Sequence, residues 1–445
     1  MKKMRPIKFL SLGYLTTIIV GTILLVLPFS SKEGGTSFID ALFTATSATC
    51  VTGLIPFDTF THWTMFGQIV ILILIQIGGL GFMTIITLLF MMFGRQIGLY
   101  NRTMMMQSAG AYNISNIGKL IKRIVIGTAI FETLGAVILS LEFSKTMPVG
   151  DAIYKGIFHS ISAFCNAGFD CMGAAGGSLT GLSTNKLVLI TLMALIVIGG
   201  SGFILWSDLI DSKFNFRKLQ THSKIVIVYN SILIVGAALL FFIFEFTKLG
   251  VRGNFIEMSV GDKIVNAFFF SISPRTAGFN ALNLTELTPS GKILTIILMF
   301  IGGNSGSTAG GLKVTTFVII VASLFTQARG HEYVVLFKRR ISDKIVKQSG
   351  ALFTAYVTMI LISTIMISMV ESFTLEQTLF EVVSAVGTVG LSLGVTAVAG
   401  IFTKIILILL MFAGRIGALA LFGLFLKAER TENILEEPQG RVIVG

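Results

Sequence analysis

Eight apolar stretches, each long enough to cross a bilayer, recur along this chain and limit what it can fold into. They run over Phe9–Phe29, Thr64–Phe93, Ile117–Phe143, Lys186–Trp206, Ile225–Phe246, Lys292–Phe325, Ile345–Val370 and Ile401–Leu426. A helix rises about 1.5 Å per residue, so about twenty apolar residues cover about 30 Å of hydrocarbon. Lipid offers no partner to a backbone N–H or C=O, and runs of this length satisfy their own only as helices. Charged residues make up 13% of the 445, against about 25% in a typical soluble protein. A soluble enzyme, a disordered tail protein and a single-pass receptor are excluded. The first span follows a basic stretch (Lys2, Lys3, Arg5, Lys8), but it lacks a small-residue cleavage site and ends at Pro28, so it reads as a retained helix.

Charge sets the orientation. Of the 34 lysines and arginines, 22 fall on one side of the spans: at the N-terminus and in 95–123, 213–224, 329–347 and 427–441. Ten fall on the other side, and Lys313 and Arg415 lie deep inside spans. The positive-inside rule puts both termini in the cytoplasm. That asymmetry accounts for the net charge of +12 without any nucleic-acid partner. Cys50, Cys165 and Cys171 are too few for a disulfide framework and read as small buried residues. The outer linkers carry acids, among them Asp40, Asp58, Asp151, Asp170, Asp262 and Glu381, which would enrich cations at an outer mouth.

Those linkers share a pattern. Each holds a short run, too brief to cross, followed by a small-residue segment ending in glycine. The endings are Cys50-Val51-Thr52-Gly53, Asn166-Ala167-Gly168, Thr276-Ala277-Gly278 and Thr388-Val389-Gly390, with the glycines 115, 110 and 112 residues apart. The short runs Ser37–Ala48, Asp151–Ala163, Asp262–Ser273 and Leu375–Val386 read as re-entrant helices. A second marker follows each loop: Ile77–Phe82, Ile198–Phe203, Ile301–Gly306 and the divergent Phe412–Gly417, all glycine-rich. Two markers in the same order four times define four repeats, at 9–94, 117–211, 225–328 and 345–427. Cytoplasmic linkers 95–116, 212–224 and 329–344 join them, between ends 1–8 and 428–445. The expected fold is an all-α polytopic membrane protein with four pseudo-symmetric helix–pore-helix–loop–helix repeats around one central, potassium-channel-like pore.

Such an arrangement suits cations. A ring of backbone carbonyls can replace an ion's hydration shell, and glycine permits the dihedrals that aim them. A short helix before each loop turns its negative C-terminal end toward the centre. In the third repeat, Gly302-Gly303-Asn304-Ser305-Gly306-Ser307-Thr308-Ala309-Gly310-Gly311 holds five glycines and four polar residues among ten and cannot persist as an ordinary transmembrane helix. Arg415, at membrane depth, must face the bundle interior and find carbonyls or an acid. Arg275, beside the third loop, is expected behind the loop rather than in the pore.

These features resemble the Trk/Ktr/HKT superfamily of potassium transporters, over roughly 9–427, and within it bacterial KtrB-type membrane subunits. The resemblance carries three groups of expectations. The loop residues 50–53, 166–168, 276–278 and 388–390 become a potassium selectivity filter. All four filter positions are glycine, and serine at the first is associated with sodium permeation in HKT relatives, so potassium is expected. Residues 302–311, with Lys313 and Arg415, become a gate. Potassium is then the substrate bound at filter carbonyls, sodium an activator, and no covalent cofactor is required. The partners become a second copy, the lipid bilayer and a cytosolic KtrA-type ring that alone binds nucleotide, with Lys338-Arg339-Arg340 and the C-terminal tail as contact surfaces. No nucleotide-binding glycine loop sits on a strand–helix turn, and no acid, base or nucleophile constellation marks an enzyme. The rival is a secondary ion transporter with alternating access around a midplane site, for which paired inverted repeats would be the commoner plan.

Overall fold

The structure is a computed structural model. It describes residues 6–81, 84, 117–173, 179–247, 255 and 257–417. Expectations about the cytoplasmic linker 95–116, the end of the second span, Phe82 and the C-terminal tail lie outside these residues.

Each repeat opens with a long apolar helix: α1 (Pro6–Val26), α4 (Ile117–Phe143), α8 (Thr221–Phe246) and α12 (Asp343–Val370). All four are long and apolar enough to cross a membrane. Their outward faces leave large apolar side chains bare, including Ile23, Leu134, Leu141, Leu239 and Met369. Faces of that kind are stable against acyl chains and not against water.

A short helix follows each: α2 (Phe38–Cys50), α5 (Val149–Phe164), α9 (Val260–Ile272) and α13 (Leu375–Gly387). Three start at caps with good local chemistry. Ser37, Ser259 and Thr374 accept the backbone N–H three residues on, from Asp40, Asp262 and Gln377, and Gln377 completes a capping box. These are the expected re-entrant helices, their ends within about two residues of the sequence reading.

The second spans differ from expectation. Three of them, in the first, second and fourth repeats, are read above as continuous and stop or break at a glycine, while the interruption of the third is the one expected over 302–311. The first stops at Leu80 (α3, Met65–Leu80), with Gly81 at φ 83°. The second breaks at Ser201-Gly202 between α6 (Lys186–Gly200) and α7 (Phe203–Asp211), which meet at 84°. The third stops at Phe300 (α10, Pro289–Phe300) and resumes at Val314 (α11, Val314–Ala328), and the fourth, α14 (Ile401–Ile416), ends before Gly417 at φ 98°. Hydropathy does not register a backbone that leaves the helical region at a glycine. At the far end of the broken second span, Arg123 grips Asp211 through two hydrogen bonds of 2.7 and 2.9 Å.

Two apolar cores flank the axis. One gathers side chains of the first three repeats, including Val51, Phe164, Cys165, Ala167 and Ala277. The other joins repeats one, three and four through Phe43, Cys50, Phe380, Val389 and Leu391. The four loops are thus held from behind on both sides.

Candidate functional site

The four loop glycines meet. A Cβ added to Gly53 would stand 2.4 Å from the Ala167 carbonyl oxygen, one on Gly168 2.7 Å from that of Ala277, one on Gly278 2.4 Å from that of Val389, and one on Gly390 2.2 Å from that of Thr52. Each repeat therefore touches the next, and the fourth closes on the first. Any side chain at these positions would strike backbone, so the ring exists only because all four residues are glycine.

The loop backbones share one geometry. Val51, Asn166, Thr276 and Thr388 have φ between 51° and 75°, and the glycines two residues later have φ between 70° and 94°. The residue between them keeps a negative φ. In a strand successive carbonyls point to opposite sides; alternating the hand of φ turns them toward one side. The short helices end immediately before this segment, so their partial negative charge adds to the carbonyls there. Cys50 closes α2 and is buried behind the loop, and the Thr52 and Thr388 hydroxyls are buried without a hydrogen-bond partner among the described residues.

Serines that the sequence reading missed brace the loops. Gly53 N–H donates to Ser47 Oγ at 3.0 Å and Gly390 N–H to Ser384 Oγ at 3.1 Å. In the middle repeats the bond reverses: Ser162 Oγ donates to the Phe169 carbonyl at 2.7 Å, and Ser273 donates to that of Phe279. A serine six residues before the glycine was a legible signal in three of the four loops. The second marker also has a role. A Cβ on Gly78, Gly199 or Gly414 would lie 2.1, 1.9 or 2.1 Å from the carbonyls of Thr49, Phe164 and Val386, each four residues before its loop glycine. These glycines let the second span pack directly on the end of the pore helix.

Beneath the ring lies the segment between Phe300 and Val314. It is tied directly to repeats two and four, and through Arg415 to repeat one. Asn304 Nδ2 donates to the Gly200 carbonyl at 2.9 Å, Phe203 N–H to that of Gly306 at 2.8 Å and Gly311 N–H to that of Gly414 at 3.3 Å. Arg415 donates to the Thr308 carbonyl on the segment and to the Gly78 carbonyl of the first repeat. Its charge thus faces two carbonyls inside the bundle, as an arginine at that depth requires. Lys313 Nζ turns back onto the carbonyls of Ala309 and Gly310 at 2.7 and 3.0 Å. Gly302 and Gly303 lie against the Thr276 side chain, and a Cβ on Gly310 would sit 2.0 Å from Thr388 Oγ1. Asn166 joins ring to segment: its Nδ2 donates to Thr276 Oγ1 and its Oδ1 accepts from Thr308 Oγ1, both at 3.3 Å. Ser307 caps the turn by donating to the Asn304 carbonyl at 2.7 Å, and Ser305 bonds Thr315.

Arg275 lines a small cavity of about 20 Å³ with Asn166, Gly200, Asn230 and Gly303, room for about one water. Glu132 is held by Gln76 Nε2 at 3.2 Å. The outer acids need a correction. Asp40 and Asp262 form ion pairs with Lys404 and Lys186, Glu381 is buried and accepts from Ser392 and Thr396, Asp58 caps a one-turn helix and Asp170 is buried against Met172 N–H. Of the six only Asp151 stands exposed. Five of these carboxylates thus hold the structure together, Asp40 and Asp262 through long-range ion pairs and Asp58, Asp170 and Glu381 through bonds nearer in sequence.

Long lipid-ready helices around re-entrant helices and a closed loop ring define a multi-pass membrane protein with an axial pore-loop assembly. The family model described as TrkH, cation transport protein, matches residues 14–435, and the chain belongs to that family. It is 38% identical to the potassium/sodium uptake protein NtpJ of Enterococcus hirae, over 100% of this chain and 98% of that one. It is 36% identical to the Ktr system potassium uptake protein B of Bacillus subtilis, over 99% and 97%. The crystal structure of the potassium transporter TrkH from Vibrio parahaemolyticus matches with a TM-score of 0.69 over 93% of this chain and 84% of that one; at 19% identity it speaks to the fold. The superfamily resemblance drawn from the four loops is thereby borne out.

Proposed function

We propose that this chain takes up potassium across the cell membrane through the glycine ring, with both termini in the cytoplasm. The observation that carries the reading is the closure of four glycines and four preceding carbonyls, Thr52, Ala167, Ala277 and Val389, into one ring. Such a ring offers fixed oxygens to a dehydrated cation and nothing to an anion. The filter comprises residues 50–53, 166–168, 276–278 and 388–390. The gate comprises 302–311 with Lys313 and Arg415; its packing against the loop residues Asn166, Thr276 and Thr388 and its attachment by hydrogen bonds support that reading. Full-length similarity to proteins named for potassium and potassium/sodium uptake supports potassium as substrate and sodium as activator. The Ktr system name supports a role as the membrane component of a larger assembly: a homodimer on a cytosolic ring that carries the nucleotide site. The protein itself acts as a pathway and not as an enzyme.

Uptake of rubidium or potassium into proteoliposomes, with sodium as competitor, tests the proposal. Saturable flux that prefers potassium supports it. Flux with equal preference for both ions, or none after the gate segment is deleted from folded protein, overturns it.

A further inference from the structure

Each short helix is tied near its N-terminus, within its first six residues, to the start of a neighbouring second span. Lys404, the fourth residue of α14, places Nζ 2.7 Å from Asp40 Oδ1, the third residue of α2. Lys292, the fourth residue of α10, lies 2.8 Å from Glu376 Oε1, the second residue of α13. Lys186, the first residue of α6, lies 3.4 Å from Asp262 Oδ1, the third residue of α9. At the remaining corner Gln68, the fourth residue of α3, accepts a 2.8 Å hydrogen bond from Tyr154 Oη on α5. Every tie runs from the second span of one repeat to the short helix of the next. That is also the rotational sense in which each loop glycine touches the following loop.

We infer that these four ties form a circumferential restraint that sets the spacing of the loop ring. On this account the pairs Asp40–Lys404, Lys186–Asp262 and Lys292–Glu376 are positioning residues for ion selectivity. The inference rests on the filter reading of the loops. A short helix of 13 residues is a rigid rod about 20 Å long, so a shift at its outer end is transmitted to the carbonyls at its inner end. A ring that distinguishes cations by cavity size or carbonyl field holds its oxygens to within about 0.5 Å. The tie between repeats four and one is the most enclosed, with side chains 13% and 14% exposed, and solvent screens it least. Among the described residues the corner between repeats one and two carries no ion pair.

The test compares Lys404→Met with Lys404→Arg in proteoliposomes, reading the ratio of initial potassium to sodium uptake alongside the melting temperature. Lys404→Met removes the charge and keeps the stem; it should lower the ratio about threefold or more, and Lys404→Arg should restore it. If Lys404→Met does not fold, Lys186→Met at the more exposed corner carries the same expectation. An unchanged ratio in folded Lys404→Met or Lys186→Met, whatever the melting temperature, overturns the inference, because a merely structural pair moves stability and not selectivity. Absence of selectivity in the native chain would instead strike the filter reading on which the inference stands.

Discussion

Replacing Arg415 with glutamine should open the pathway without any cytosolic partner. The guanidinium bridges the gate segment at the Thr308 carbonyl and the first repeat at the Gly78 carbonyl. A hydrogen bond from a charged donor contributes about 1.5–3 kcal/mol net. Losing the grip on Thr308 alone, at about 1.4 kcal/mol per decade, raises the ratio of open to closed segment about 10- to 150-fold. The other ties, from Asn304 to Gly200 and from Gly311 to Gly414, remain and keep the change finite. Rubidium uptake by proteoliposomes holding the chain alone should therefore start at least about tenfold faster in Arg415→Gln than in the native protein. Arg415→Lys, with one ammonium to reach two carbonyls, should fall between them. Folded Arg415→Gln whose uptake is unchanged or slower would refute the reasoning, since the bridge would then not hold the segment closed.

Three further outcomes follow from the same geometry. Asn166→Val and Thr308→Val each remove the bond between ring and segment, so each should raise basal uptake several-fold and the double variant no more than either alone; additive effects in that cycle would show that the two side chains act separately. Gly414→Ala places a methyl where the Val386 carbonyl lies and should cost about 1–3 kcal/mol, seen as a lower melting temperature in detergent, whereas an unshifted melt would contradict the packing described. Ser384→Ala leaves the half-buried Gly390 N–H without its acceptor, at about 1 kcal/mol, and should weaken potassium preference while Ser384→Thr retains more of it; equal selectivity in both would remove the serine from the account.

Much of this architecture was legible in the chain because it repeats. The period of about 112 residues and the paired markers gave the four units, and the short runs before each loop glycine, three of them opening near Asp151, Asp262 and Glu376, gave the short helices to within about two residues. The break between Phe300 and Val314 was legible because five glycines and four polar residues cannot hold a helix in lipid. The turns at Gly81, Gly202 and Gly417 were not, because each marker holds more than one glycine and which of them takes a positive φ depends on what packs beside it. The marker glycines were visible, but the carbonyls they admit belong to helices about thirty residues earlier in sequence. The outer acids were misread as mouth charges for the same reason: Asp40 and Lys404 are 364 residues apart, and only the closure of the fourth repeat on the first brings them together. Asn166 was read as one loop residue among four, and its bond to the gate segment appears only once Thr308 is in place.

The central claim is that one ring of four glycines selects the ion, and Gly390→Ser tests it most directly. The added Cβ would stand 2.2 Å from the Thr52 carbonyl oxygen on a backbone at φ 94°, so the fourth loop must move off the first. Gly53→Ser forces the same displacement against Ala167. The measurement is the potassium-to-sodium uptake ratio of native, Gly53→Ser and Gly390→Ser proteins in proteoliposomes. The account predicts potassium preference in the native chain and its loss in both folded variants. Preference that survives both substitutions would place the ion's path elsewhere in the molecule.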